Sequence, residues 1–101
     1  MKFFEFNKYE YYALIVAEDE ENAKKGYEEV VAEIDEDEKS LSPDVISSGE
    51  ALNRFVMGNI EGCTTKKEKV DDFNQNVHKF GEDLKNGVDK YLILLMDGSL
   101  I

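Results

Sequence analysis

The chain has 101 residues, of which 42% are apolar and 35% are charged. This length predicts one folded domain spanning residues 1–101, since a chain of this size supports a single core. No run approaches the roughly 20 apolar residues that cross a bilayer, and Glu5 interrupts the apolar start where a secretion signal would continue. With Cys63 as the single cysteine, these features predict a cytoplasmic protein.

Acidic residues outnumber basic ones by 23 to 12, which gives a formal net charge of −11. Residues 18–38, here called the acidic segment, contain eleven acids and two lysines and therefore carry −9. Such a field repels phosphate backbones and anionic lipid surfaces and attracts cationic partners. We therefore expect no direct contact with nucleic acid or membrane, and a basic protein as the partner.

The first predicted element is a β-hairpin. Lys2–Phe6 forms its first strand, Asn7 lies in a tight turn, and Tyr9–Ala17 forms a longer second strand rich in β-branched and aromatic residues. Rings would point to both faces of these strands, so they either fill the core or leave one face open to a partner or a second copy.

A helix follows, because the four acids at positions 18–21 favour a helix N-terminus. Its apolar stripe predicts an end near residue 34 and consists of Ala23, Tyr27, Val30, Val31 and Ile34. Gly26 inside this helix indicates a close approach to another part of the backbone. The charged run Asp35–Pro43 is typical of a loop.

Two capping boxes predict two further helices. The first box ends at Glu50 and predicts Ser48–Met57, which Gly58 and Asn59 stop. The second pairs Thr65 with Glu68 and predicts Lys66–Asn86, with Gly87 as its stop. The apolar stripe of the last helix comprises Val70, Phe73, Val77, Phe80 and Leu84.

The last predicted strand, Tyr91–Met96, is apolar at every position, which favours a central place in a sheet covered on both faces. Asp97 and Gly98 then indicate a turn, with Ser99–Ile101 as a short final strand. The fold class is α+β: a small mixed β-sheet covered by about three helices, in the order β-β-α-α-α-β, with Tyr91–Met96 beside Tyr9–Ala17.

No catalytic, cofactor-binding or metal site is predicted, so we expect no enzyme. The acids at 35–38 do not form an EF-hand, because Ser40 and Ile46 occupy the positions that require glycine and glutamate. Cys63 and His78 suggest a thiolate–imidazole pair, but fifteen residues of helix would separate them by about 22 Å. Adjacent acids such as Asp71 and Asp72 diverge around a helix and cannot work as an acid–base pair.

The acidic run Ala17–Lys25 after a strand and the compact ending Asp97–Ile101 resemble small acidic proteins encoded by phages and prophages. Several such proteins are electrostatically similar to nucleic acid and inhibit host defence enzymes. The resemblance implies an inhibitor that occupies a basic surface of a host protein.

Three classes of function remain open at this stage. We favour a non-enzymatic acidic module that binds a basic protein; the alternatives are a homo-oligomeric accessory protein and a small-ligand binder or enzyme whose site forms only in the fold. The continuous acidic face predicted for the first helix and its loop gives the partner-binding residues, Glu28, Glu29, Glu33, Asp35 and Asp37.

Overall fold

The structure, a computed structural model, describes residues 1–58 and 64–96. The α+β class and the order β-β-α-α-α-β are confirmed, with one short additional strand, β3. The elements are β1 Lys2–Phe6, β2 Ala13–Ala17, α1 Glu20–Gly26 with a π-helical segment Tyr27–Val31, β3 Asp44–Ile46, α2 Ser48–Met57, α3 Lys66–Lys85 and β4 Tyr91–Met96.

The four strands form one sheet in the order β3-β1-β2-β4. Every neighbouring pair in it is antiparallel, so the expectation of a mixed sheet is wrong. β4 lies beside β2 as predicted, but at an edge of the sheet, not at its centre. α1 and α3 both contact β4. Its uniformly apolar sequence is therefore explained by helices that cover both of its faces, and does not require a neighbouring strand on each side.

A bulge interrupts the pairing of β4 with β2. Leu95 lies opposite Leu14 and Ile93 lies opposite Ile15, which leaves Leu94 as the extra residue. Leu94 and Leu95 consequently belong to the same core, although they are adjacent in a strand.

The sheet separates two cores. On one face, Phe3 packs with Phe55 of α2 and Phe73 and Phe80 of α3. On the other face, Phe4 and other strand residues pack against α1 and the π-helical segment. The N-terminal hairpin contributes four buried rings to these cores: Phe3, Phe4, Phe6 and Tyr9. These four rings therefore fill the cores and do not form an open aromatic face.

The hairpin differs from its prediction at the turn. β2 begins at Ala13, and residues 7–12 form the connection, so Asn7 does not make a tight two-residue turn. The reason is aromatic packing: the Tyr9 ring leaves the sheet and lies 5.0 Å from the Phe6 ring and 5.3 Å from the Tyr27 ring, centroid to centroid.

The caps of α2 and α3 are confirmed. Ser47 with Glu50 and Thr65 with Glu68 form complete capping boxes. Gly87 ends α3 with φ of +72°, a left-handed conformation that glycine adopts without strain. The amides of Gly87 and Val88 then donate to the last carbonyls of the helix, at 3.1 and 2.8 Å.

The predictions that concern Asn59, Cys63 and Asp97–Ile101 lie outside the described residues. Among the described helices, none is both long enough and apolar enough to pass through a membrane.

Candidate acidic binding surface

The acidic segment begins with a capped helix. The Asp19 carboxylate accepts a hydrogen bond from the Asn22 amide at 2.9 Å, and Glu20 and Glu21 lie in the first turn of α1. Negative charge is favourable here because the amides at a helix N-terminus have no backbone partner. Only Glu20 of these acids forms an ion pair with a described residue, Lys24, at 3.4 Å.

The helix then widens and its apolar stripe breaks. The Ala32 amide donates to the Tyr27 carbonyl at 3.1 Å, a spacing of five residues that defines a π-helical turn. Because this turn holds more residues than an α-helical one, Val30 rotates outward and is 47% exposed. The prediction of a buried Val30 is therefore wrong, as is the helix end near Ile34, since Ile34 is buried beyond the helix.

The five predicted partner-binding residues lie on the π-helical segment and in the loop that follows it. All five are exposed, and none forms an ion pair within the described part of the chain; they are Glu28, Glu29, Glu33, Asp35 and Asp37. Glu29 accepts a hydrogen bond from the Tyr91 hydroxyl of β4 at 2.6 Å, and this bond raises the pKa of Tyr91. The structure therefore gathers these acids on the layer that covers one face of the sheet.

Glu38 is an exception to the continuous acidic face predicted for the first helix and its loop. Its side chain is buried, and its Oε2 accepts from the Glu10 amide at 2.6 Å while its Oε1 accepts from the Asp35 amide at 3.1 Å. A carboxylate in this position satisfies backbone donors that would otherwise be left unpaired. Glu38 thus fixes the acidic loop to the hairpin connection and does not itself present charge to a partner.

Two buried tyrosines make the same attachment. The Tyr9 hydroxyl donates to the Leu41 carbonyl at 2.9 Å, and the Tyr27 hydroxyl donates to the Tyr11 carbonyl at 2.7 Å. Burial, with smaller contributions from the Glu20 and Glu38 carboxylates, raises the pKa of Tyr9 to about 12. These hydrogen bonds hold the acidic segment and its loop against the hairpin connection.

A second polar group, absent from the sequence predictions, joins α2 to β1. The buried Glu5 carboxylate accepts from Arg54 Nε at 2.8 Å, from the Tyr12 hydroxyl at 2.7 Å and from Asn7 Nδ2 at 3.3 Å. Burial and then Glu5 raise the pKa of Tyr12, and the hydrogen bond to Glu5 raises the pKa of Arg54. With these donors the buried charge is compensated, and the group anchors a helix to the sheet.

The alternation of residues along β1 indicates that Glu5 is buried. It lies between Phe4 and Phe6, so strand alternation directs it to the same face as Phe3. A charge on that inward face requires a partner, and Arg54 is the single arginine of the chain.

The other residues considered at the sequence level do not meet in a site. His78 is exposed on α3, as is Asp71, and Cys63 lies outside the described residues. Within residues 1–58 and 64–96, no group of three or more His, Cys, Asp or Glu side chains is placed to hold a metal ion.

An antiparallel four-stranded sheet, with an acidic helical layer on one face and two helices on the other, defines the chain as a small α+β domain. The family model described as YosH C-terminal domain matches residues 1–95, and the chain belongs to this family. Neither the curated proteins nor the solved structures contain a match to it.

Proposed function

We propose that this domain is a non-enzymatic binding module that presents its acidic segment to a basic surface of a partner protein. One observation carries the proposal: the exposed carboxylates on the π-helical segment and its loop have no ion pair among the described residues. The residues concerned are Glu28, Glu29, Glu33, Asp35 and Asp37.

The physical basis is electrostatic steering. Exposed like charges add little to folding stability, but together they attract an oppositely charged surface and raise the rate of encounter. Glu38 and the two buried tyrosines hold the loop in place, so less conformational entropy is lost when a partner binds. The surface is thus suited to fast, salt-sensitive association.

The partner that fits best is a protein whose basic surface binds nucleic acid. A surface that binds phosphates also accepts carboxylates, because both are anionic hydrogen-bond acceptors. The proposal therefore extends to an inhibitor of a host protein, of phage or prophage origin and acting in the cytoplasm.

The test compares two variants that each lose five acids. The surface variant carries Gln at Glu28, Glu29 and Glu33 and Asn at Asp35 and Asp37. The control variant removes the same charge outside the acidic segment, with Gln at Glu10 and Glu82 and Asn at Asp44, Asp71 and Asp72. Proteins that wild type retains from a cell lysate at low salt are identified by mass spectrometry and purified, and their association rates are measured over a salt series.

We expect the surface variant to associate about tenfold more slowly than wild type at low salt, and the control variant to remain within about threefold. The difference should disappear at high salt, where the Debye length is only about 3 Å. Equal rates for wild type and surface variant would show that the acids only solubilise the domain. Self-association that neither variant changes would favour the oligomeric alternative instead.

A further inference from the structure

The outer edge of β4 lies beside the acidic layer. One edge of β4 pairs with β2, and no strand of the described chain pairs with the other. Although α1 and α3 contact β4, its first three residues, Tyr91, Leu92 and Ile93, are only half-buried. Leu94 and Leu95, at the bulge, are buried. The accessible edge is therefore the first half of the strand.

This edge differs from the opposite edge of the sheet. β3 has only three residues, follows Pro43 and contains Asp44, which binds Lys8 and Asn7 at 3.3 and 3.2 Å. Short length, proline and charge are the usual features that prevent a strand edge from pairing. β4 has six residues, none of them proline or charged, and its bulge begins only after Ile93.

Acidic groups border the accessible edge on both sides. On the α1 side, Glu29 accepts the hydrogen bond from the Tyr91 hydroxyl. On the α3 side, a shallow depression of about 150 Å³ has Phe80 and Leu92 in its wall. Its polar lining consists of Asn76, Lys79, Asp83 and Asp89. An apolar surface lined by two carboxylates and one lysine is complementary to a long side chain that ends in a cation.

We propose that the basic partner adds an extended segment to β4, paired with the backbone of Tyr91–Ile93. Alternate side chains of an added strand point to opposite faces. Lysines or arginines on the α1 side would meet Glu29, and the side chain on the α3 side would enter the depression beside Leu92. The inference rests on the proposed function and specifies the conformation of the bound partner.

The test uses a short peptide of alternating lysine and valine, and two copies of it methylated on the backbone nitrogens of alternate residues. One methylated copy loses the donors that face β4, and the other loses only donors that face away. Because the first copy loses more than one hydrogen bond to β4, we expect it to bind about tenfold or more weakly than the parent peptide, and the second copy to bind like the parent. Equal binding by all three peptides would overturn the proposal.

Matched protein variants locate the site. Glu29→Gln combined with Asp89→Asn should weaken peptide binding about fivefold or more, whereas Glu10→Gln combined with Asp71→Asn, which removes the same charge at exposed positions, should leave it within twofold. Equal losses for both pairs would mean that only net charge matters.

The two proposals fail in different ways. If the wild-type chain binds no lysine-rich peptide at low salt, the proposed function itself fails. If it binds but is insensitive to backbone methylation, only the added strand is wrong. Sedimentation of the free chain supplies the remaining outcome: a dimer that Ile93→Lys dissociates would assign the edge to a second copy and overturn the proposal.

Discussion

At Gly26 the acidic layer lies directly against an aromatic ring of the sheet. The backbone there is ordinary helix, with φ of −62°, so glycine is not needed for a turn. A Cβ atom would instead lie 2.6 Å from Cδ1 of Tyr91, closer than two carbon atoms can approach. The sequence indicated a close approach at this position, and the structure identifies the neighbour as a side chain, not a backbone.

We predict that Gly26→Ala destabilises the domain by about 1 kcal/mol or more, because overpacking by about 1–3 kcal/mol outweighs the gain in helix propensity. Gly81→Ala is the matched control: Gly81 also lies in a helix, and a Cβ atom added to it would have no neighbour within 4 Å, so this change should stabilise by about 0.5–1 kcal/mol. Urea denaturation measures both changes. Similar gains for the two variants would contradict the contact with Tyr91.

Tyr9 gives a pH dependence whose sign follows from its raised pKa. Because the folded protein holds the phenol neutral to about pH 12, against about 10 in the unfolded chain, its contribution is complete below pH 10. That contribution is lost as pH rises from about 10 through about 12. Tyr9→Phe should therefore reduce the fall in stability over this range. Denaturation curves of wild type and Tyr9→Phe across this range measure the effect; parallel losses of stability in the two proteins would contradict it.

At the scale of elements, α3 shows how an apolar stripe becomes a packed interface. Phe73 lies 6.0 Å from the Phe3 ring of β1 and 5.5 Å from the Phe55 ring of α2, centroid to centroid. Phe80, two turns later, is also buried in this core. The helix thus joins the sheet to α2 through aromatic contacts.

We predict that Phe73→Ala or Phe80→Ala lowers the free energy of unfolding by about 3–5 kcal/mol, because each leaves a cavity in a packed core. This loss is a large part of the total stability of a small domain. Asn74→Ala, at an exposed position of the same helix, should change it by less than about 0.5 kcal/mol. Thermal melts provide the measurement, and losses below about 1 kcal/mol for both phenylalanines would place the stripe outside the core.

At the scale of the whole molecule, charge opposes folding. The net charge is −11, and most of the excess lies in the acidic segment, where acids are close together in the chain. Self-repulsion of this kind destabilises a compact state and is screened by salt.

We therefore predict that added salt raises the Tm of the wild-type domain by roughly a few degrees and that of the five-acid surface variant by less. At low salt the surface variant should be at least as stable as wild type, since its acids are exposed and have no ion pair among the described residues. Calorimetry at several salt concentrations measures both effects. A surface variant that unfolds at low salt would show that these acids have a structural role.

The local patterns of the sequence determined the helices at residues 48–57 and 66–85 with their caps, and the exposure of the five predicted acids. These features depend on contacts between residues close in the chain, such as the bond between Thr65 and Glu68. They also depend on periodicity, which shows which side of an element is buried.

The tertiary structure alone decided the remaining features, because each depends on residues far apart in the chain. β4 lies at an edge because the additional strand, β3, pairs with β1 and not with β4. The sequence of residues 91–96 does not indicate where β3 pairs. Glu38 is buried because the Glu10 amide, in a connection distant in sequence, needs an acceptor. Val30 is exposed because the helix widens where Tyr27 packs among Phe6 and Tyr9. Sequence periodicity assumes regular elements, and packing between distant segments determines where that regularity ends.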